Sequence, residues 1–306
     1  MQAPLLAVEI GGTKLQLVLG DESARILERR RLTVAPAAGA AGIRRQIEQA
    51  LPELLRDRGI KAAGVGFGGP VDWRNGRLAC SHQIEGWSGF ELATWLRSLA
   101  GAPVAADNDA NVAALGEALH GAGRGSSPVF YVTRGSGVGG GLVVNGGIYH
   151  RARPGEAEVG HLRLDRQGTI LESRCSGWAV DARIRALKAT HPGSALAGMI
   201  GERAGGEARH LPAAVAQGDP AAERILRETA ADLAYGLSHV VHLFHPELII
   251  LGGGLSGIGE PLRAAVEQAL APFLMEVFRP GPRLALAALG EDAVPVGALE
   301  LARMSA

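Results

Sequence analysis

Cysteine is scarce in this chain of 306 residues: only Cys80 and Cys175 occur, far apart and outside any C-x-x-C pair. That leaves no disulfide framework and points to a reducing compartment, the cytoplasm. It also argues against a structural zinc site, because the segment holding His161 adds only Cys175 and a tetrahedral centre needs more ligands than those two. Lysine is nearly as rare, at Lys14, Lys61 and Lys188, and every other basic residue is arginine, a bias that reflects codon usage more than function. Net charge is missing as well. Thirty-one basic residues balance 31 acidic ones, so no bulk field draws in nucleic acid or an anionic membrane, and any anionic ligand must be held by a local site. No apolar run approaches the roughly 20 residues of a membrane helix. The start, "MQAPLLAVEIGG", lacks a basic segment and its apolar run stops at Glu9, so it reads as a strand rather than an export signal.

What the chain does have is hydrophobic residues, 47% of the total, enough to fill the cores of two ordinary domains or one large one. Short apolar runs bounded by glycine, proline or charge predict strands over residues 5–9, 14–20, 26–33, 62–67 and 104–106. Between them, residues 42–58 and 90–99 carry apolar side chains at helical spacing. Strands alternating with helices imply an α/β domain with a parallel or mixed sheet. The second half restarts in the same way: "SPVFYVTRGSGVGGGLVVNGG" repeats the strand, glycine turn and strand of "LLAVEIGGTKLQLVLGD". Such a repeat suggests two lobes around a cleft. A long helix is expected over 222–244, a further strand and glycine turn in "HPELIILGGGLS", and a short helix over 296–304.

Chemistry-bearing residues fall into three groups. Gly11, Gly12 and Thr13 follow a strand, as do Gly135 to Gly141 and Gly252 to Gly254. Each is compatible with a plain hairpin or with backbone amides turned towards phosphate, and three such turns favour the second use. In "VAADNDANVAALGEALHG" a strand runs into Asp107, Asn108 and Asp109 just before a helix. One of these can cap the helix; the surplus suits a general base at Asp109 and a hydroxyl clamp at Asn108, at the strand end where α/β proteins bind ligands. Finally, Glu158, His161 and Glu172 make either a polar surface loop or a set of donors and acceptors for several hydroxyls, as a carbohydrate requires.

The ordered series "EIGGTK", "GGPVD", "NDANVAALGEA", "GSGVGGGLVVNG", "EVGHLRL", "LESRCSG" and "PELIILGGGLS" resembles the ROK family of bacterial sugar kinases and sugar-responsive repressors over nearly the whole chain. The resemblance implies an α/β, two-lobed actin-like ATPase (ribonuclease H-like) fold with a nucleotide and sugar cleft between the lobes. It implies a small lobe over residues 1–115, rejoined by the helix over 295–306, and a large lobe over 116–294. ATP and Mg2+ are the implied cofactors, a sugar the small-molecule partner, and a homodimer the implied assembly. Gly11, Gly12, Thr13 and Lys14 would meet the ATP phosphates from the small lobe. Gly135, Ser136 and Gly137 would do so from the large lobe, where Gly252, Gly253 and Gly254 line the nucleotide site. Gly69, Asn108, Asp109, Glu158, His161 and Glu172 would hold the sugar, with Asp109 the catalytic base. The activity implied is phosphorylation of a hexose of the glucose type at its primary hydroxyl.

Three departures from the family pattern matter. The first motif usually reads D-x-G-G-T-K, and here the acid is Glu9, whose longer side chain would serve Mg2+ directly or through water. The family's cysteine-rich zinc loop is replaced by "HLRLDRQGTILE", so His161 needs another support. "GGPVD" and "SHQIEGW" also differ near the sugar, which opens N-acyl hexosamines or fructose as substrates. A catalytically impaired sugar-binding homologue is the alternative to a kinase. A repressor is disfavoured, because the first strand at Leu5 leaves no space for a preceding helix-turn-helix.

Overall fold

A computed structural model gives the fold and describes residues 3–56, 58–81, 84–153 and 155–306. The elements run β1 (Leu5–Ile10), β2 (Lys14–Gly20), β3 (Ile26–Thr33), α1 (Gly39–Leu55), β4 (Ala63–Phe67), β5 (Val71–Asp72), β6 (Arg77–Leu78), α2 (Leu92–Ala100), β7 (Val104–Asn108) and α3 (Asp109–His120). There follow β8 (Val129–Arg134), β9 (Val138–Val144), β10 (Gly147–Ile148), α4 (Leu171–Cys175), α5 (Gly177–Thr190), α6 (Ala195–Met199), α7 (Leu211–Ala216) and α8 (Pro220–Phe244). The chain closes with β11 (Leu248–Gly252), α9 (Glu260–Leu270), β12 (Arg283–Leu286) and α10 (Ala293–Met304).

Two five-stranded sheets form, in the orders β3-β2-β1-β4-β7 and β10-β9-β8-β11-β12. In the first, β1 and β2 make an antiparallel hairpin while β1, β4 and β7 run parallel. In the second, β8, β11 and β12 run parallel. The repeat heard in the sequence is thus a repeat of strand order. Contacts divide the chain into one unit of Met1–Gly125, Gly141–Glu156 and Leu289–Ala306 and another of Ser126–Gly140 and Ala157–Ala288.

Side-chain alternation along β1 explains how the first sheet is buried on both faces. Leu6, Val8 and Ile10 join Ile43, Ile47, Leu92 and Leu96 in one apolar cluster. Leu5 and Ala7 face the other way, into a cluster with Val112, Ala298 and Leu299. Helix α10 lies against that second face so closely that a Cβ on Gly64 would strike the Ala298 carbonyl, and one on Gly297 the Val112 carbonyl. It starts earlier than residue 296, because Pro295 falls within the first turn, where no amide hydrogen is needed.

The expected turn over Gly135 to Gly141 is shorter than the glycines suggest. Strand β9 begins at Val138. Gly140 and Gly141 are strand residues whose missing side chains admit neighbours: a Cβ would lie 2.9 Å from Phe130 Cζ at Gly140 and 2.7 Å from Ala114 Cβ at Gly141.

Candidate active site

In the first unit the predicted residues gather at the carboxyl ends of β1, β4 and β7. The Gly11 amide donates to the Lys14 carbonyl at 2.9 Å, closing the hairpin, and Gly68 N donates to Ile10 O at 2.8 Å. Neither glycine has a left-handed backbone, so what they contribute is the absence of a side chain. A Cβ on Gly68 would sit 3.5 Å from Asp109 Oδ2 and 3.6 Å from Gly11 Cα. The glycine turn and the candidate base therefore share one corner.

Asn108 caps the helix, the first of the two roles its sequence position offers. Its backbone is extended, its Oδ1 accepts from the amides of Ala110 at 2.9 Å and Asn111 at 3.4 Å, and it caps α3. Its Nδ2 donates to the Gly69 carbonyl at 3.1 Å. Gly69 has no room for a side chain, since a Cβ would lie 2.7 Å from the Cys80 carbonyl oxygen and 3.0 Å from Phe67 Cε1. Of the departing segment "SHQIEGW", His82 and Gln83 lie outside the described residues.

Glu9 faces inward with Leu5 and Ala7 and finds polar partners there. Gln16, its cross-strand neighbour, donates through Nε2 at 2.7 Å, and Lys14 Nζ stands 3.2 Å from the other oxygen. Burial raises the carboxyl above its ordinary range; Lys14 and Gln16 pull against that.

The second unit holds the remaining predicted residues. Gly135 N donates to Gly137 O at 3.0 Å and Gly177 N to Gly135 O at 2.8 Å, at the end of β8. Gly252 pairs with Thr133 there, and Gly253 takes φ 76°, with a Cβ position blocked by the Arg134 backbone. Both glycine turns thus lie at the ends of neighbouring parallel strands. Glu172 reaches the same turn: its Oε2 accepts from Val138 N at 2.8 Å. Glu158 and His161 are exposed on a short turn in which His161 N donates to Glu158 O at 3.1 Å, and Gly160 of that turn presses on the Val138 carbonyl. The turn bearing Glu158 and His161 thus packs on Val138, the residue whose amide Glu172 holds.

The support that His161 lacks from zinc is a hairpin. Arg163 bridges Ile170, Leu171 N donates to Leu162 O at 2.9 Å, and Leu164 N to Thr169 O at 2.8 Å. Asp165 Oδ1 clips it by accepting from the amides of Gln167 at 2.8 Å and Thr169 at 3.1 Å, and the Thr169 side chain, together with these amides, holds the carboxyl below the usual range. Among the described residues no group of His, Cys, Asp and Glu is arranged to hold a metal ion.

Sequence reasoning missed two features. Arg134, directly before Gly135, is fully buried, and its Nε and both Nη atoms have no hydrogen-bond partner; desolvation pulls the guanidinium down to about 10. A charged residue ending the apolar run "VFYVTR" was the available signal. Behind Asn108, Asp107 pairs with His150, which pairs with Glu156. Nothing local marks His150 or Glu156, because Asp107 and Asn111, which they meet on β7 and α3, lie some forty residues away.

Known proteins similar to this chain include sugar kinases. A glucokinase of Thermotoga maritima is 29% identical over 305 residues, covering 97% of this chain and 96% of that protein. A glucokinase of Streptomyces coelicolor is 31% identical over 310 residues, covering 97% of each. The crystal structure of a ROK family glucokinase from Streptomyces griseus in complex with glucose and AMPPNP superposes with a TM-score of 0.84 at 31% identity, over 99% of this chain and 100% of that one. Fold and turns together define a sugar kinase with the actin-like ATPase fold. The chain belongs to the ROK family, whose model matches residues 5–305.

Proposed function

We propose that the protein transfers the γ-phosphoryl group of ATP to the primary hydroxyl of a hexose of the glucose type. The observation that carries this reading is the meeting of Asp109 Oδ2, Gly68 and Gly11 at the ends of three parallel strands. A carboxylate able to take a proton stands there beside a turn without side chains. Asp109 accepts the proton of the sugar hydroxyl as its oxygen attacks phosphorus, the new O–P bond forming while the bond to the β,γ-bridging oxygen breaks. Asn108 and Gly69 in the first unit, and Glu158, His161 and Glu172 in the second, bind the other hydroxyls. Gly11, Gly12, Thr13 and Lys14 offer donors to the phosphates, as do Gly135, Ser136 and Gly137, with Gly252, Gly253 and Gly254 beside the nucleotide. Such positioning and charge stabilisation make up most of the catalysis of phosphoryl transfer.

Magnesium bound with the nucleotide fits Glu9 through water, because both carboxylate oxygens already face donors, at 2.7 and 3.2 Å. The ion supplies neutralisation of phosphate charge. That same Lys14–Glu9 pair favours a second reading, a sugar-binding homologue of low turnover. We also propose a cytoplasmic location; among the described residues no helix is long and apolar enough to cross a membrane. A homodimer would cover the exposed Leu243, Phe273, Met275 and Val277, where Phe273 packs on Tyr235 and Met275 N meets His242; sedimentation of Val277→Glu against wild type tests it.

The deciding experiment follows ADP release from magnesium ATP with glucose, fructose and N-acyl hexosamines in turn. Glucose-dependent ADP is expected. Measurable sugar binding with no ADP from any of them selects the low-turnover reading.

A further inference from the structure

Asp107 does more than precede the two residues that meet the sugar. Its Oδ1 accepts from Asn108 N at 2.7 Å and from Asn111 Nδ2 at 3.1 Å, so one carboxylate ties the end of β7 to the first turn of α3 across Asn108 and Asp109. Asn111 Nδ2 also donates to Glu156 Oε1 at 3.2 Å. Two nearly buried carboxylates thus flank one amide, an arrangement that repels itself unless a cation intervenes. His150 intervenes. Its Nε2 lies 3.0 Å from Asp107 Oδ2 and its Nδ1 3.0 Å from Glu156 Oε1, while its ring stacks on Trp73 at 4.2 Å and 11°. The His150 side chain is 16% exposed.

Other charges nearby are already committed. Arg153 pairs with Asp72 at 2.8 Å, Arg151 donates to the His150 carbonyl at 2.7 Å and covers Tyr149, and Arg74 lies over the Trp73 ring. Asp107 on β7 and Glu156 on the loop after β10 are the charged groups that face the imidazole, and α3 contributes the neutral Asn111.

We propose that His150, as an imidazolium held between Asp107 and Glu156, is a positioning residue that fixes the junction carrying Asn108 and Asp109, and that turnover falls when it loses its proton. This rests on the kinase reading above. Burial alone would push the imidazole down, but its close pairing with the Asp107 carboxylate and its hydrogen bond to Glu156 outweigh burial and carry it up to about 9. The charge, and the support it lends, is complete below the ordinary histidine value and lost as pH rises through about 9. Nothing in the contacts of His150 touches the glycine turns, so ATP binding is independent of it.

The test measures kcat and KM from pH 6.5 to 10 for wild type, His150→Gln and Glu156→Gln. Wild-type kcat should fall along an alkaline limb with a midpoint near 9. Glu156→Gln, which removes one of the two carboxylates, should move that midpoint to lower pH. His150→Gln should cut kcat at pH 7.5 by about tenfold or more, change KM for ATP less than about twofold, and have no limb near 9. A merely structural role would lower melting temperature but leave kcat per folded molecule and the limb where they are. Backbone amide shifts of Asn108, Asp109 and Asn111 followed by NMR without any substrate supply an independent readout: they should titrate in step with the His150 imidazole. Amides indifferent to that titration, or a limb that stays put in Glu156→Gln, overturn the inference. Absence of turnover from every sugar with coupled amide titration intact would instead fault the kinase reading.

Discussion

Alanine at Gly68 and at Gly69 should do opposite things, although the two are neighbours in one loop. Neither has a left-handed backbone, so alanine adds no torsional strain at either. At Gly68 the new methyl would meet Ile10 O at 3.4 Å, Asp109 Oδ2 at 3.5 Å and Gly11 Cα at 3.6 Å, all ordinary contacts. The fold should accept it and gain roughly 0.4–1 kcal/mol from a stiffer unfolded chain. The methyl nonetheless occupies the corner where Asp109 faces the glycine turn. A displacement of about 1 Å in a reacting group lowers rates up to about 100-fold, so kcat/KM should fall at least about tenfold, or about 1.4 kcal/mol. At Gly69 the methyl would lie 2.7 Å from the Cys80 carbonyl oxygen and 3.0 Å from Phe67 Cε1. Backbone must move, at about 1–3 kcal/mol of stability, and with it the carbonyl that accepts from Asn108. Urea unfolding with a coupled ADP assay separates the two effects. A Gly68→Ala enzyme with kcat/KM within twofold of wild type, or a Gly69→Ala protein as stable as wild type, would refute the reasoning.

Asp109→Asn should lower kcat by about 10² to 10⁴ while calorimetry still detects sugar binding; an active variant would show another base at work. Glu9→Asp should keep or raise turnover if Glu9 meets magnesium through water, and a large loss at saturating magnesium would mean the longer acid is required. Asp165→Ala removes the clip of the hairpin beneath His161, so sugar KM should rise with KM for ATP unchanged. In the wild type that clip is present above the ordinary carboxylate value and lost as pH falls through the depressed one, so sugar affinity measured by calorimetry should weaken in acid. Arg134→Met replaces a buried, unpartnered guanidinium with an apolar side chain of similar length and should stabilise the protein by about 1 kcal/mol or more in urea; a loss of stability would reveal a partner for Arg134.

Much of the fold was legible because its signals are local. Strands β2 and β3 have the bounds that their apolar runs predict, and β1 ends one residue later than expected, at Ile10. Helix α1 lies three residues nearer the start than its periodicity suggested, since Arg56 adopts the left-handed conformation that ends it. Glycines 139 to 141 misled for a physical reason: glycine marks close approach as readily as a turn, and here a strand needs room for Ala114 and Phe130. The capping use of Asn108 was legible from its place before the helix, but its bond to the Gly69 carbonyl, 39 residues away in the chain, was not.

Residue order alone therefore determined the two-fold repeat of strand, glycine turn and strand, the acids and amides at the strand ends, and the membership of a family. Periodicity and turn chemistry act between neighbours, so they can be read along the chain. Only the tertiary structure decided that Glu9 is held by Gln16 and Lys14, that a clipped hairpin stands where a zinc loop is missing, and that His150 lies between Asp107 and Glu156. Which of several polar neighbours a side chain meets depends on hairpin register and loop path, the Asp107–His150 pair closes over more than forty residues, and the charges acquire their energetics from burial, which no stretch of sequence carries by itself.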